Sequence, residues 1–177
     1  NIAPTHEVPG VSMKDGTPTL QTMRWGLLPF WAKDKKVGYR MINARAETVG
    51  EKRSFSPSLK SRRCIIPVSG FYEWKRHSNT DKQAYAIRRR DEEPLLLAGL
   101  WACNKQIEKG QEIESYTVLT HAPNALVADI HDRMPVILDR AEIHTWLDAP
   151  WTEAKSITEG PFDAEHMEAF AVSNAVG

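Results

Sequence analysis

A seven-residue segment, residues 129–135, combines side chains that can move protons and bind anions. His131 can exchange a proton near neutral pH, and Arg133 is a permanent cation suited to a phosphate or a carboxylate. This combination favours a binding or catalytic site. A histidine at a helix end, satisfied by a neighbouring backbone group, is an equally good interpretation of His131 taken alone.

A second candidate, Glu73, lies among large aromatic residues in the segment 70–75. Burial of a carboxyl group among apolar side chains raises its pKa toward the range that suits general acid and base catalysis. Strand alternation also allows Glu73 to point outward while the aromatic residues point inward. For Glu73 alone, this outward orientation is the favoured interpretation.

The third polar segment with apolar neighbours, residues 41–47, contains Asn43 and Arg45. Because the two residues are two positions apart, their side chains would share one face of a strand. An amide and a guanidinium on one face could hold a carbonyl oxygen and a phosphate together. The alternative is a buried structural asparagine beside a surface arginine.

Two adjacent aromatic residues, Phe30 and Trp31, precede a lysine-rich stretch. Aromatic rings beside basic side chains can stack on unpaired bases next to a phosphate backbone. Packing in the core explains Phe30 equally well, whereas Trp31 is the better candidate for exposure. The sequence has no metal-site spacing, glycine-rich phosphate loop or Gly-x-Ser-x-Gly elbow, so we expect no metal and no cofactor.

The elements that position these residues are short and rich in β-branched and aromatic residues. Strands are predicted over residues 20–27, 64–74, 84–87, 95–103 and 116–120. A helix is predicted to follow Asp139 as its N-cap and to stop before Pro150. A weaker helix signal over residues 124–129 places His131 just past a helix end.

These elements predict an α+β fold, with one domain over residues 1–177. We expect a curved, barrel-like, mainly antiparallel sheet with a few flanking helices. The chain has 177 residues and a hydrophobic content of 41%, which suffices to bury one core. Its 23 basic and 23 acidic residues balance, so a polyanion site must come from local clustering.

The two cysteines, Cys64 and Cys103, both lie in apolar runs, which indicates buried free thiols in a reducing, cytoplasmic compartment. No apolar run approaches membrane-spanning length and no leader peptide opens the sequence, so we expect no membrane partner. The start at Asn1 is typical of the interior of a protein. We therefore expect an N-terminal piece to precede it.

Taken together, eight segments closely resemble the SRAP family, the SOS-response-associated peptidases. The segments are, in order, residues 1–5, 24–29, 42–47, 64–67, 71–74, 98–101, 129–135 and 172–173. The resemblance covers essentially the whole chain and is most specific around Asn43, Glu73 and His131. It implies an α+β domain that binds single-stranded DNA and links covalently to abasic sites.

In this family the nucleophile is a cysteine made N-terminal by autoproteolytic removal of the initiator Met. Its α-amine and thiol close a thiazolidine ring on the aldehyde of the abasic site. The resemblance implies that Asn43 orients this cysteine, that Glu73 shuttles protons during Met removal, ring opening and reversal, and that His131 is a second acid or base. The family's Met-Cys-Gly-Arg start is absent from this sequence, and we expect it in the part of the protein that precedes it. Cys64 and Cys103 cannot replace that cysteine, since the ring needs the amine and the thiol of one residue.

The resemblance also implies a DNA-binding set. It consists of two arginines that hold the phosphates flanking the lesion, one additional donor, and an apolar platform for unstacked bases. These residues are Arg45, Arg133, Thr120, Pro4, Phe30 and Trp31. The expected partner is single-stranded DNA with abasic sites, bound by a monomer that is cytoplasmic, or nucleoid-associated in a bacterium.

Other functions stay open on the sequence. A non-covalent binder of single-stranded DNA would use the same arginines and aromatic residues, and substitution of Glu73 and His131 would leave it nearly unaffected. A general protease is suggested by the family name alone, since no motif resembles a cleft for a substrate peptide. An amidase with Glu73 and His131 as its acid–base pair would need a nucleophile that the sequence does not offer.

Overall fold

The structure is a computed structural model that describes residues 1–78 and 80–177. Its strands are β1 (Glu7–Lys14), β2 (Thr17–Trp25), β3 (Asn43–Arg45), β4 (Arg63–Val68), β5 (Phe71–Arg76), β6 (Lys82–Arg89), β7 (Leu95–Asn104), β8 (Ile113–His121), β9 (Met134–Pro135) and β10 (Met167–Val172). The α-helices are α1 (Ser56–Ser61), α2 (Ala125–Ala128), α3 (Ile143–Asp148) and α4 (Trp151–Ala154). Short 3-10 helices cover Lys35–Arg40, Val49–Glu51, Arg140–Glu142, Lys155–Thr158, Ala164–His166 and Asn174–Val176.

Five strands form a closed barrel. Hydrogen-bonded neighbours follow the order β2-β1-β4-β7-β8, and β8 pairs with β2 to close the ring. The pairings within this order are antiparallel, whereas the closing pairing is parallel and covers Arg24↔Ser115 and Trp25↔Tyr116. Closure leaves no open edge along the paired residues of the ring.

The hairpin that joins β1 to β2 turns at Asp15 and Gly16. Both residues have positive φ angles, 50° and 73°, as the two-residue turns that match strand twist require. Proline has no N–H, so it cannot donate a hydrogen bond to a second neighbouring strand. Pro9 is tolerated in β1 because β1 pairs with β4 only further along, at Val11 and Ser12.

Two short strands extend the sheet around β8. Strand β3 pairs in parallel with β8 from Asn43↔Val118 to Arg45↔Thr120. Strand β9 pairs antiparallel with β8 at Thr120↔Pro135. The end of β8 therefore brings β3 close to the chain that leaves α2.

Strands β5, β6 and β10 form a second, antiparallel sheet in the order β10-β6-β5. Its inner face packs against the barrel, where Phe71, Ile87 and Met167 join a hydrophobic cluster with barrel residues. Ile87 and Met167 are fully buried. The outer face carries the alternate residues of the same strands.

A second hydrophobic cluster joins the barrel to α1, α3 and α4. Arg63 of β4 lies buried beneath these helices, and its guanidinium donates to the carbonyl oxygens of Leu59 (2.8 Å), Trp146 and Ala149. The indole of Trp146 in turn donates to the carbonyl oxygen of Cys64 at 2.9 Å. Arg63 thus satisfies carbonyl groups at the C-terminal ends of two helices, which have no partner within a helix.

The predicted fold class is confirmed, because the chain forms a mainly antiparallel barrel, a second sheet and short helices. The predicted strand over residues 64–74 is wrong, since it is divided into β4 and β5. A side chain at Gly70 would meet the carbonyl oxygen of Ile87 at 2.6 Å, so this break needs glycine. The helices predicted before Pro150 and over residues 124–129 are present, and His131 follows α2 as predicted. Within the described residues, no helix is both long and apolar enough to cross a bilayer.

Candidate active site

A cleft of about 350 Å³ opens between β5 and the strands grouped around the end of β8. Its lining comes from six strands and from the turn that follows α2. The lining residues are Trp25, Asn43, Arg45, Phe71, Tyr72, Glu73, Leu97, Val118, Thr120, His131, Arg133, Met134 and Pro135. Six of the nine residues singled out from the sequence are among them: Asn43, Arg45, Glu73, Thr120, His131 and Arg133.

Strand β3 presents Asn43 and Arg45 to the cleft. Both side chains are exposed, while Ala44 between them is buried against the core, which confirms that the pair shares one face. The alternative of a buried Asn43 is wrong. Among the described residues, Arg45 makes no ion pair, so its charge is available to a ligand.

Glu73 of β5 lies in the wall of the cleft, with 24% of its side chain exposed. The outward orientation that Glu73 alone favoured is therefore wrong. Burial raises the pKa of the Glu73 carboxyl above its usual value, and the nearby His131 and the backbone N–H of Trp74 oppose this shift. Asp132 adds to it by charge repulsion. A raised pKa makes the ionised carboxyl group a better proton acceptor, as general base catalysis requires.

His131 faces Glu73 across the cleft. The backbone nitrogen of Arg133 lies 3.1 Å from Nδ1 of His131 and the carbonyl oxygen of Arg133 lies 3.2 Å from the same atom, so Nδ1 accepts or donates according to the tautomer of the ring. Nε2 lies 3.8 Å from Oε2 of Glu73, which is longer than a direct hydrogen bond. One water molecule or a small closure on a substrate would connect the two groups.

The Asp132 carboxylate lies 3.3 Å from Nδ1 of the same histidine. Protonation of the His131 ring would therefore place a positive charge between two carboxylates, Asp132 on one side and Glu73 on the other. Both charge states of the ring have partners in this arrangement. The geometry suits a group that gains and loses a proton during a reaction.

Arg133 is held by a network within the protein. Its two terminal nitrogens donate to the Glu47 carboxylate at 2.8 and 2.9 Å, and one of them also donates to the carbonyl oxygen of Thr120 at 2.7 Å. The Thr120 hydroxyl is 3.2 Å from the same nitrogen. The guanidinium lowers the pKa of Glu47 to about 2. A DNA phosphate could engage Arg133 only by sharing it with Glu47.

Pro4, Phe30 and Trp31 do not line the cleft. Phe30 and Trp31 lie exposed in a turn after β2. This turn is fixed by Asn104, whose amide donates to the carbonyl oxygens of Pro29 (2.7 Å) and Ala32 (2.9 Å). Their expected role as a platform for bases stays a prediction, located outside the cleft.

The apolar wall of the cleft comes instead from residues that the sequence analysis did not single out for a site. Trp25 stacks on Tyr116 at 6.4 Å between ring centroids, and its indole donates to the carbonyl oxygen of Ile42 at 2.9 Å. Phe71 and Tyr72 precede Glu73 on β5. The sequence signal for the latter pair was present, since both lie in the segment 70–75 that contains the candidate residue Glu73.

Neither cysteine belongs to the cleft lining. Cys64 is fully buried, as predicted, and burial raises the pKa of its thiol. The prediction of a buried thiol is wrong for Cys103, which is only half-buried, and burial raises the pKa of its thiol as well. In residues 1–78 and 80–177, no three His, Cys, Asp or Glu side chains cluster so as to hold a metal ion.

A larger hollow of 610 Å³, lined by residues at the start of the chain and in the segment 108–114, is mostly polar. Its Lys35 and Glu108 form an ion pair with each other. Unlike the cleft, this hollow does not combine an apolar wall with an acid–base pair among its lining residues. The cleft around Glu73 is therefore the better candidate for chemistry.

Comparisons with known proteins show the family and the fold of the chain. The profile of the family described as "SOS response associated peptidase (SRAP)" matches residues 1–177. The chain is 42% identical over 178 residues to "Abasic site processing protein YoqW" of Bacillus subtilis, covering 99% of this chain and 79% of that protein. It is 33% identical over 180 residues to "Abasic site processing protein YedK" of Escherichia coli, covering 100% and 78%. A crystal structure from Bacteroides thetaiotaomicron superposes with a TM-score of 0.87 and 32% identity, over 96% of this chain and 75% of that one.

Proposed function

The chain belongs to the SOS response associated peptidase (SRAP) family, and we propose on this premise that it processes abasic sites in single-stranded DNA. The proposal includes a covalent crosslink through an N-terminal cysteine of the full-length protein. Two curated relatives are named abasic site processing proteins. The single observation that carries the proposal is the cleft that brings Asn43, Glu73 and His131 together.

The proposed crosslink forms in three steps. The cysteine amine adds to the lesion's aldehyde to give a carbinolamine, water leaves to give an imine, and the thiol adds to the imine carbon. The product is a thiazolidine, and one water molecule is released overall. The first step needs a base for the ammonium proton, and the second needs an acid for the departing hydroxyl.

Glu73 suits both tasks in turn. As a carboxylate it accepts the proton of the attacking amine, and its raised pKa then lets it return that proton to the hydroxyl that leaves. His131 is proposed as the second proton site, since its Nε2 lies 3.8 Å from the Glu73 carboxylate. Asn43, which lies in β3, is proposed to hydrogen-bond either the cysteine or the aldehyde oxygen.

The proposed substrate is single-stranded DNA, since the lining of the cleft suits an unpaired position. Trp25, Phe71 and Tyr72 offer apolar surface to unstacked bases, and Arg45 offers an unpaired cation to a flanking phosphate. Arg133 is proposed to contribute to phosphate binding. Its guanidinium is held beside Thr120, and its charge would be shared between Glu47 and a DNA phosphate.

Removal of the initiator Met is the second proposed activity of the same residues. A water molecule activated by Glu73 would attack the Met carbonyl, and the cysteine nitrogen would leave with a proton as a free amine. This hydrolysis generates the amine that the crosslink needs. We also propose that the protein acts as a monomer in the cytoplasm.

The decisive experiment uses the full-length protein, with its processed N-terminus verified by mass spectrometry. It is mixed with single-stranded DNA that carries one abasic site and analysed on a denaturing gel. We expect a heat-stable shifted band that is lost when the N-terminal cysteine is changed to alanine. Undamaged DNA of the same sequence serves as the substrate control.

A second candidate function, a non-covalent binding module, is favoured by the unpaired charge of Arg45 and the apolar wall of the cleft. It predicts a mobility shift on a native gel, no band on a denaturing gel, and little effect of E73Q or H131A. That set of results with a verified N-terminus would overturn the crosslinking proposal. Loss of the crosslink in E73Q, with E159Q on the exposed surface unaffected, would support it.

A further inference from the structure

The outer face of the second sheet carries two exposed aromatic rings, Tyr72, which also lines the cleft, and Phe170, which the proposed chemistry does not use. In the register of the sheet, Tyr72 of β5 lies opposite Ala86 of β6, and Ala86 lies opposite Phe170 of β10. The three residues therefore form one row across the sheet on one face. The exposed fractions of Tyr72 and Phe170 are 38% and 42%.

The spacing of this row suits flat ligands. Neighbouring strands are about 4.8 Å apart, so the two rings project from positions about 10 Å apart. Ala86 between them contributes only a methyl group, which leaves the gap open. A purine or pyrimidine can lie on either ring, and rings presented by a sheet in this way are a common means of stacking single-stranded bases.

One basic side chain lies at the Phe170 end of the row. The Arg88 guanidinium lies 5.3 Å from the centre of the Phe170 ring. Arg88 is paired with Glu168 at 2.8 Å and with Glu92 at 3.5 Å, so its charge is neutralised by carboxylates. Arg76 and Lys82, which make no ion pair within the described residues, lie opposite each other further along the strands, beyond the row of Trp74.

The neighbouring row of the same face is covered by the chain itself. Ala84 is fully buried, because its N–H donates to the side chain of Asn174 at 2.8 Å and the turn Asn174–Val176 packs over it. Gly177 packs against the ring of Trp74 in that row. The fold thus covers the row of Trp74 and leaves the row of Tyr72 open.

Tyr72 connects this face to the cleft, since it lines the cleft next to Glu73. A DNA strand that leaves the cleft over the edge of β5 meets Tyr72 first and Phe170 next. Two separated rings that are reached directly from the cleft complement unpaired bases that continue the strand beyond the lesion.

We propose that the row Tyr72–Ala86–Phe170 is an accessory platform on which unpaired bases next to the lesion stack, outside the cleft that holds the abasic site. This inference rests on the proposed function. It adds a second contact region to the DNA site and predicts that affinity depends on the length of unpaired DNA beside the lesion.

The test compares F170A with the wild-type full-length protein on two abasic oligonucleotides by fluorescence anisotropy. One oligonucleotide has two nucleotides on each side of the lesion, and the other has twelve. We expect F170A to bind the long oligonucleotide about tenfold more weakly and the short one as tightly as wild type. F170W should bind both like wild type, since it keeps a stacking surface.

Two controls separate stacking from folding. L20A removes another large exposed apolar side chain, in β2, and should change neither affinity. F170T keeps a β-branched residue in β10 and should repeat the effect of F170A if the missing ring is the cause. Thermal unfolding of each variant verifies that the second sheet is intact.

Equal affinity of wild type, F170A and F170T for the long oligonucleotide would overturn the platform, while crosslinking by the wild type left the proposed function standing. A wild type that neither binds nor crosslinks abasic DNA would overturn both. A change in self-association on size-exclusion chromatography without a change in DNA affinity would assign the face to a second copy of the chain. That result also counts against the platform.

Discussion

The burial that raises the pKa of Glu73 also lowers the stability of the folded protein when the carboxyl group is ionised. Its pKa is raised by burial, so the ionised form is less favourable in the folded chain than in the unfolded chain. Below the ordinary pKa of a glutamate both states are protonated and this cost is absent. It develops as the pH rises through the raised pKa and is complete above it.

We therefore expect E73Q to be more stable than wild type at pH 7, by on the order of 2 °C in Tm, and equally stable at pH 3. The same variant should form the crosslink about 100-fold more slowly, because it cannot exchange a proton. Calorimetry at the two pH values and a crosslinking time course measure these effects. A Tm that falls at pH 7 would show that the carboxylate stabilises the fold.

Glu47 has the opposite dependence on pH. Arg133 lowers its pKa to about 2, so the ion pair stabilises the folded state above the ordinary glutamate pKa of 4.5. This contribution is lost as the pH falls from there to about 2. Half of the Glu47 side chain is exposed, so solvent screening limits the contribution to about 1 kcal/mol.

The variant E47Q should accordingly lose about 1 kcal/mol at pH 7 and match wild type near pH 2. Its crosslinking rate should fall by more than unfolding alone explains, because the backbone N–H of the same Arg133 lies 3.1 Å from Nδ1 of His131. Urea unfolding at both pH values, with crosslinking rates at pH 7, tests this. Identical activity of E47Q and wild type would limit the pair to a structural role.

Part of the site could be predicted from residue types and spacing. Alternation placed Asn43 and Arg45 on one face, although the strand that carries them was not itself predicted. The approach of Glu73 to His131 could not be predicted, because it depends on how the second sheet packs beside the end of β8. The pairing of Arg133 with Glu47 has the same origin, since β3 and the turn after α2 meet only through the sheet.

At the level of elements, the long apolar strands were predictable and the short or interrupted ones were not. Strands β2, β6, β7 and β8 contain runs that were predicted as strands. Strand β1 was missed because Pro9 and Gly10 are poor strand formers. Gly10 lies against the ends of the Met23 and Ile66 side chains, which would have to shift to admit a side chain there.

The attachment of the helices depends on one buried charge. Arg63 donates to backbone carbonyls of two helix ends, and no carboxylate forms an ion pair with it among the described residues. Burial lowers its pKa, but a guanidinium stays protonated at physiological pH. Its removal leaves buried carbonyl groups without donors, which is costly.

We expect R63M to destabilise the protein by about 3 kcal/mol in urea unfolding, with a lower Tm. The neighbouring Arg62 lies over the ring of Trp101 at 5.8 Å, and R62M should cost less than about 1 kcal/mol. The two variants differ by one position and share the same chemistry. Equal losses would mean that the carbonyl groups at the helix ends find other donors.

For the whole molecule, the balance of 23 basic and 23 acidic residues limits how DNA is recognised. A neutral protein has no general field that attracts a polyanion, so binding depends on a few local cations. We expect a weak salt dependence, with a slope of log K against log [salt] of about −1 to −2 for single-stranded DNA.

Arg45 should account for much of that slope. R45Q is expected to reduce its magnitude by about 0.7 and to weaken binding equally for all sequences. R53Q, an exposed arginine outside the cleft lining, is the matched control and should leave the slope unchanged. Anisotropy titrations between 50 and 200 mM salt measure both. An unchanged slope in R45Q would place the phosphate contacts elsewhere.

The parallel pairing that closes the barrel has a consequence for motion. Strand β2 meets β8 over two residue pairs, whereas it meets β1 over eight. We expect this seam to open at a lower free energy than the hairpin. Trp25 belongs to the seam and lines the cleft, so a molecule bound in the cleft would hold the seam closed. The amide of Gly26 donates across the seam to the carbonyl oxygen of Tyr116 at 2.9 Å. This amide should then exchange its hydrogen more slowly, so its exchange rate would measure whether the cleft is occupied.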